Sequence, residues 1–189
     1  MPYGRSANSG RPGMFGRGLA PVAPADADAV VRCPPVMPGA IGTRTELGNA
    51  LERPGWQVID AYRSSRKSIA EARAKYPSDF LLHNGPGDAW RHFRWNFSMA
   101  KSMGAPTAQA FADAHEVSHP NKAAELAMDL HNNAMGRAFG ANPNYAGLSP
   151  AQAADLALRS GCLQLWNKPG ISGAHALSAL PPTRRPPIR

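Results

Sequence analysis

The hydrophobic and polar positions between residues 84 and 137 repeat with a helical period in three successive segments. Glycine and proline stand at the segment boundaries, where helices usually begin or end. The pattern predicts three helices, over about residues 85–104, 107–118 and 121–136 or 121–140.

Weaker patterns flank these three segments. Thr43 and Glu46 fit a capping box that predicts a short helix, an apolar stripe predicts a longer helix over residues 56–75, and a last helix is predicted over residues 149–160. No segment alternates between apolar and polar residues as a strand would. The sequence therefore predicts an all-α fold, a compact bundle of about five or six helices.

Composition divides the chain into three regions. Residues 1–42 are rich in Gly, Pro, Ala and Arg, and residues 169–189 are rich in Pro and Arg. Neither stretch has the apolar periodicity needed to offset the entropy lost on ordering, so we expect a disordered leader and a disordered tail. The helical domain is expected over residues 43–168.

Charge favours an anionic partner. The formal net charge is +8 and the pI is about 10.1, which suits nucleic acid, a phospholipid surface or an acidic protein. The densest basic group of the domain lies on the helix expected over residues 56–75, at Arg63, Arg66, Lys67, Arg73 and Lys75. It is either an ordinary solvated helix face or a binding surface.

Targeting signals are few. The chain has no apolar run of the roughly 18 residues that a membrane span needs, and its N terminus lacks the apolar segment of a cleavable signal peptide. We expect a protein that is cytoplasmic in the producing cell and exported by a specialised secretion system. Cys33 and Cys162 are too isolated to form a zinc-ligand pair, and a disulfide joining the leader to the domain is the less favoured alternative.

Residues suited to proton or metal chemistry are concentrated on the three central helices. Asp88, His92 and Asn96 are spaced four apart on the first, so they share one face. Asp129 aligns with the Asn132–Asn133 pair on the third, and two asparagines inside a helix run against helix propensity. We therefore expect these polar faces to point inward, toward a cleft.

Metal-assisted hydrolysis is one chemistry that fits, because imidazole and carboxylate ligands can hold a divalent ion that acidifies water. The available ligands are Asp88, His92, His115, Glu116, Asp129 and His131. The set expected to bind zinc or another divalent ion is His92, His115, Glu116 and Asp129.

The run HEVSH at residues 115–119 also satisfies the H-E-x-x-H pattern of zinc peptidases. Pro120 follows directly, which would leave His119 at the end of its helix, whereas zinc peptidases continue the helix. The zinc-peptidase hypothesis is therefore the weaker metal hypothesis.

Two further interpretations need no metal. In acid–base catalysis, His92 or His115 acts as the base and Arg137 stabilises an anionic transition state. In a structural interpretation, Asp88 caps its helix and the histidines and asparagines only satisfy buried hydrogen bonds between helices.

Three ordered motifs resemble a family of bacterial domains found at the C termini of polymorphic toxins and secreted antibacterial effectors. The motifs are DAxRH followed by a Trp, DAHE, and MDLxNNxxGR. The matching residues are Asp88, Arg91, His92, Trp95, Asp113, His115, Glu116, Asp129, Asn132, Asn133, Gly136 and Arg137. The resemblance implies a compact, helical, hydrolytic module that is delivered to another cell, with a cognate immunity protein as an expected partner.

We therefore expect an antibacterial effector that hydrolyses a cell-envelope substrate, a phospholipid or a peptidoglycan precursor. The expected catalytic residues are Asp88, His92, His115, Glu116, Asp129, Asn133 and Arg137, and the expected substrate-binding residues are Arg91, Trp95 and Asn132. The alternative is a non-catalytic basic protein that contacts nucleic acid or an assembly partner, although no interleaved aromatic and basic platform for single strands is visible.

Overall fold

The computed structural model of the protein describes residues 31–165; the first 30 residues and the expected tail over 169–189 lie outside this range. Seven α-helices and one 3₁₀ turn form within it, and this part of the chain contains no strand. The elements are α1 (Glu46–Leu51), α2 (Gly55–Lys75), α3 (Asp79–Leu82), α4 (Pro86–Met103), α5 (Ala105–Ser118), α6 (Ala123–Ala141), the 3₁₀ turn (Pro143–Tyr145) and α7 (Pro150–Arg159). The prediction of an all-α fold is confirmed.

The predicted helix ends agree with the observed ends to within a few residues, with two differences. The short helix α1 is capped by Thr45, whose hydroxyl accepts a hydrogen bond from the Gly48 N–H, and not by Thr43 as the capping-box pattern suggested. The one-turn helix α3 was not predicted, because four residues are too few to display a hydrophobic repeat. These two differences do not affect the central helices.

The central helix α4 packs against α2, α5, α6 and α7. Its closest neighbour is α6, which two glycines bring near the α4 backbone. A Cβ atom placed on Gly136 would lie 2.3 Å from the Phe93 carbonyl oxygen, and one on Gly140 would lie 2.7 Å from the Phe97 carbonyl oxygen. Only glycine allows this separation, so the polar faces of α4 and α6 are held in direct contact.

The main hydrophobic core lies beside this helix pair. It contains aromatic side chains that are almost fully buried, among them Trp90, Phe93 and Phe139, and small residues of α7 fill the remaining space. Phe93 and Phe139 meet edge to face with ring centroids 5.2 Å apart. Burial of such large rings is the main stabilising contribution to the pairing of α4 with α6.

A disulfide joins the beginning of the described chain to its end. Cys33 and Cys162 are bonded, with their Cα atoms 5.3 Å apart, and Val31 and Val36 pack against the main core beside them. The sequence analysis made this disulfide the less favoured alternative, which was wrong. The two cysteines are distant in the chain, and only the fold brings them together. The Ser160 hydroxyl accepts a hydrogen bond from the Val31 N–H and adds to the same junction.

Among residues 31–165, no helix is both long enough and apolar enough to cross a membrane.

Candidate functional site

Polar side chains from three helices converge on His92, which is only 2% exposed. We call this group the His92 cluster: Asp88, His92 and Asn96 from α4, Glu116 from α5, and Asp129 and Asn133 from α6. All six residues are buried. The four-residue spacing on α4 and on α6 places each set on one helix face.

Amide side chains fix the protonation of the imidazole. The Asn133 oxygen accepts a hydrogen bond from the Asn96 amide at 2.6 Å and lies 3.1 Å from His92 Nδ1. The Asn133 nitrogen donates to Glu116 Oε1 at 3.0 Å, which holds the amide in this orientation. His92 therefore carries its proton on Nδ1, and its Nε2 presents a lone pair.

Oxygen atoms surround that lone pair. Asp129 Oδ1 lies 3.2 Å and Asp88 Oδ1 lies 3.6 Å from His92 Nε2. Asp129 is 2% exposed, and its Oδ1 accepts no hydrogen bond, although its Oδ2 accepts one from the Asn121 amide at 3.1 Å. Two lone pairs thus face each other across 3.2 Å, which is unfavourable unless a proton or a cation lies between them.

The Arg91 guanidinium reaches the same place from the surface. Its Nη2 lies 2.5 Å from Asp88 Oδ1 and 2.8 Å from His92 Nε2. The Asp88 Oδ2 accepts a second hydrogen bond, from the Asn84 backbone N–H at 2.8 Å. Asp88 is therefore well satisfied, whereas Asp129 is not.

These surroundings perturb the pKa values of the buried acids in opposite directions. Burial, together with the nearby charges of Asp88 and Glu116, raises the pKa of Asp129 to about 8. Burial also raises the pKa of Glu116 to about 7. Burial acts in the same direction on Asp88, but the positive charge of Arg91 and the hydrogen bond from the Asn84 backbone outweigh it, so its pKa is lowered.

The imidazole itself is held neutral. Burial and the positive charge of Arg91 lower the pKa of His92 to about 3, despite the opposing charge of Asp88. A neutral imidazole whose Nδ1–H is held by a hydrogen bond is the form in which histidine binds metal ions. The oxygens of Asp88 and Asp129 and a ring nitrogen of His92 all lie within 4.8 Å of one another, as the ligands of one ion would.

A surface depression of about 360 Å³ shares Arg91 with the surroundings of the cluster. It is lined by Ile69, Ala72 and Arg73 of α2, by Asp79, Leu82 and His83, and by Arg91. The side chain of Arg91 is 28% exposed, so it touches both the depression and the His92 cluster. A ligand in the depression would meet this guanidinium before reaching His92.

His115 lies apart from the His92 cluster. Its Nδ1 is 2.7 Å from Glu46 Oε1, and its ring stacks obliquely on His119 with centroids 4.5 Å apart. Glu116, between these two histidines in sequence, is bound to Asn133 inside the His92 cluster. The two histidines and the glutamate of the H-E-x-x-H pattern therefore belong to different groups, an arrangement that gives the zinc-peptidase hypothesis no support.

Two further expected site residues, Arg137 and Trp95, hydrogen-bond at the edge of the cluster and outside it, respectively. Arg137 donates a hydrogen bond to the Asn96 oxygen at 3.0 Å, so it supports the amide that orients Asn133. The Trp95 ring nitrogen donates to the Ala61 carbonyl at 3.1 Å and is part of helix packing.

Two polar residues of α6 serve the C-terminal segment instead. Asn132 exchanges two hydrogen bonds of 2.9 Å with the backbone of Gln164. His131 lies 2.9 Å from the Cys162 carbonyl oxygen. Both side chains anchor the stretch that follows α7. These contacts do not support the substrate-binding role expected for Asn132 or a metal-ligand role for His131.

Several supporting residues were not assigned to the site from sequence. Asn96 was placed on the correct face but given no role, and Asn84 and Asn121 were missed although they bind Asp88 and Asp129. Asn84 has a φ of 58° and is 2% exposed, and its amide donates to Glu125 at 2.9 Å. Its position before Gly-Pro-Gly is a turn signal that could have identified it, since asparagine tolerates positive φ better than most residues.

Fold and site together define an all-α protein with a buried site of one histidine and several carboxylates. A family model described as "Domain of unknown function (DUF6973)" matches residues 49–157, more than half of the chain, and the protein belongs to this family. The matched range includes every residue of the His92 cluster. Comparisons with curated proteins and with solved structures gave no match.

Proposed function

We propose that the protein is a hydrolytic antibacterial effector that acts on a cell-envelope substrate with the help of a divalent metal ion. The observation that carries the proposal is the unsatisfied Asp129 Oδ1, which faces the lone pair of His92 Nε2 at 3.2 Å, beside the Arg91 side chain that also lines a surface depression. A buried acceptor without a donor is costly, so its persistence in the fold suggests a ligand.

Three residues would hold the ion: Asp88, His92 and Asp129. Imidazole nitrogen and carboxylate oxygen suit Zn²⁺, Mn²⁺ or Fe²⁺. This set differs from the one expected from sequence, because it includes Asp88 and leaves out His115 and Glu116. In that assignment, Glu116 and Asn133 act behind His92, where they orient the ring through its Nδ1–H.

Charge balance also favours a cation. Three carboxyl groups, those of Asp88, Glu116 and Asp129, lie between 3.2 and 3.8 Å from the ring nitrogens of His92. One guanidinium, that of Arg91, makes direct contact with this group. A divalent ion would offset the remaining negative charge without requiring protonation of the acids.

Arg91 is assigned a role toward the substrate. Its Nη2 now occupies the space in front of His92 Nε2, so binding of an ion requires the guanidinium to move outward into the depression. There it can pair with a phosphate or carboxylate of the substrate in a bidentate manner. A bound ion would supply an acidified water and polarise the scissile bond, while Arg91 orients the anionic group beside it.

Delivery to another cell rests on the resemblance to effector domains alone. The resemblance implies export by a specialised secretion system and a cognate immunity protein in the producing cell. Of the envelope substrates, we prefer an anionic phospholipid, because the basic net charge of +8 favours phosphate groups and two arginines, Arg73 and Arg91, line the depression beside a single carboxylate, Asp79.

The first experiment measures metal binding directly. The purified chain, stripped with a chelator, is titrated calorimetrically with Mn²⁺ and Zn²⁺ beside Asp129→Asn and Asp155→Asn. Asp155 is the matched control, since it is also a buried aspartate but is paired with Lys75 and with the ring N–H of Trp90. Binding by the wild type and by Asp155→Asn, with a large loss for Asp129→Asn, is expected; equal binding by all three would refute the metal assignment.

The second experiment measures the consequence in cells. Wild type and Asp129→Asn are expressed in a bacterium, either in the cytoplasm or directed to the periplasm, and lipids and cell wall are then analysed. Lysis or arrest caused only by the periplasmic wild type, with altered lipid or cell-wall composition, is expected. Harm from both forms alike would contradict a hydrolytic site at Asp129.

A further inference from the structure

The outer face of α2 exposes large apolar side chains on successive turns. Trp56 is 55% exposed, Ile59 is 52% exposed and Tyr62 is 66% exposed. Their spacing of three residues keeps them on one side of the helix. Isolated apolar residues are common at protein surfaces, but a contiguous row containing Trp and Tyr indicates an interaction site.

The same face becomes basic further along the helix. Arg63, Arg66, Lys67 and Arg73 are all exposed; the first three continue the row at spacings of three and four residues, and Arg73 lies about two turns beyond Arg66 on the same side. The acidic neighbour Glu71 lies 3.9 Å from the lysine but forms a two-point hydrogen-bonded pair with a buried arginine of α4, so its charge is directed inward. The outer face of α2 therefore carries positive charge beside an apolar row.

We propose that the outer face of α2 docks the protein on an anionic phospholipid surface. This inference rests on the proposed function in that it names the surface on which the substrate would be met. Trp56, Ile59 and Tyr62 would enter the interfacial layer, where aromatic rings with a polar edge are favoured. The basic residues would lie at the level of the headgroup phosphates.

The position of the depression supports a lipid surface. Ile69 and Arg73 of α2 line the same depression as Arg91, whose guanidinium contacts His92. A helix lying on the membrane would thus place the mouth of the depression next to headgroups. A headgroup phosphate could pass from Arg73 to Arg91 without the protein leaving the surface.

A nucleic acid fits this face less well. Single strands are bound where aromatic and basic side chains alternate, so that bases stack while phosphates pair. Here the apolar row, residues 56–62, and the basic row, residues 63–73, are largely separate along the helix. The exposed Ile59 would also gain nothing from bases or phosphates.

The test uses the full chain and vesicles of phosphatidylcholine with or without phosphatidylglycerol. Co-sedimentation measures binding. The tryptophan fluorescence of the wild type is compared with that of Trp56→Phe, so that the difference reports Trp56, because Trp90 and Trp95 are buried and Trp166, outside the described residues, is present in both proteins. The prediction is binding to the anionic vesicles only, with a blue shift that Trp56→Phe removes. The charge variant Arg63→Gln/Arg66→Gln/Lys67→Gln should weaken the partition by roughly 100-fold.

The matched control removes three charges elsewhere. Arg32→Gln/Arg44→Gln/Arg159→Gln has the same net charge as the α2 variant but leaves the outer face of α2 intact, and it should bind the vesicles almost as the wild type does. Equal loss in both variants would mean non-specific attraction and would overturn the docking face. The docking face is also overturned if the α2 variants lose affinity for a DNA or RNA oligonucleotide and not for vesicles.

Failure of this inference is separable from failure of the proposed function. Asp129→Asn should bind vesicles like the wild type, since the outer face of α2 is unchanged. If metal binding persists in the α2 variants but vesicle binding never occurs, the docking face is refuted and the metal site stands. If vesicle binding occurs without metal binding, the metal site is refuted and the docking face stands.

Discussion

Above about pH 8, where the Asp129 carboxyl is ionised, replacing this residue by Asn should stabilise the metal-free protein. The Asp129 Oδ1 is buried, accepts no hydrogen bond and faces the lone pair of His92 Nε2 at 3.2 Å. An amide in its place can keep the hydrogen bond from Asn121 through its oxygen and turns a donor, not an acceptor, toward Nε2, which already lies 2.8 Å from Arg91 Nη2. One substitution thus removes an unsatisfied charge while the hydrogen bond from Asn121 is kept.

The magnitude follows from the loss of this unsatisfied charge. Relief of an unsatisfied buried acceptor contributes about 1–3 kcal/mol. A net gain of about 2 kcal/mol would raise the melting temperature of a chain of this size by about 4–8 °C. Catalysis and metal binding should be lost in the same variant.

The gain should depend on pH. The pKa of Asp129 is raised from 3.8 to about 8, so the folded protein holds a proton that the unfolded chain releases between these values. This contribution to the free energy of unfolding is fully present below about pH 4 and is lost as the pH rises through about 8. At about pH 5 the protonated Asp129 can itself donate to His92, and the variant should then gain little.

Thermal and urea unfolding of both proteins with a chelator, at about pH 5 and about pH 9, measures the difference. At each pH the free energy of unfolding of the wild type is subtracted from that of the variant. This is needed because the lowered pKa of His92 makes the stability of both proteins rise with pH in the acid range. Asp155→Asn, which removes the negative charge that pairs with Lys75 in the interior, should be destabilised at both pH values. If Asp129→Asn is destabilised at pH 9 to a similar extent, the carboxylate is well satisfied and the reasoning fails.

Three other perturbations test the fold and the support of the site. Gly136→Ala should destabilise by about 2 kcal/mol or more, because its Cβ would meet backbone at 2.3 Å, whereas Gly55→Ala, with open space around it, should be neutral in the same urea titration. The Cys33→Ser/Cys162→Ser variant should lose about 3–5 kcal/mol, since the bond closes a loop of 129 residues; an unchanged melting temperature would contradict this. Asn133→Ala should lower metal affinity by about 10–100-fold in calorimetry while circular dichroism stays helical, because the imidazole loses the acceptor that orients it.

Helix positions could be predicted from sequence because their signals are local. The spacing of Asp88 and His92 on α4 is fixed by the helical repeat, whatever the rest of the chain does. The Asn132–Asn133 pair inside α6 correctly marked a buried polar face, since solvent-free amides need partners. Breakers before and after each segment set the ends.

Partners across helices could not be predicted from sequence to the same extent. His115 and Glu116 are adjacent in one motif, yet the helix directs His115 to Glu46 near the surface and Glu116 to Asn133 in the interior. Which of the two faces α6 depends on the rotation of α5 about its axis. That rotation is set by packing against α4, α6 and α1, not by the motif.

The sequence by itself determined the all-α fold and the three central helices, because helical periodicity, caps and residue type act over a few positions. The tertiary structure alone decided that Asp129 faces His92 unsatisfied, that Arg91 links the cluster to the surface, and that Cys33 meets Cys162. The first contact joins two helices, α4 and α6, that two glycines allow to touch, and the disulfide joins residues 129 positions apart. Such long-range distances are set by the close packing of whole helices, which no local pattern encodes.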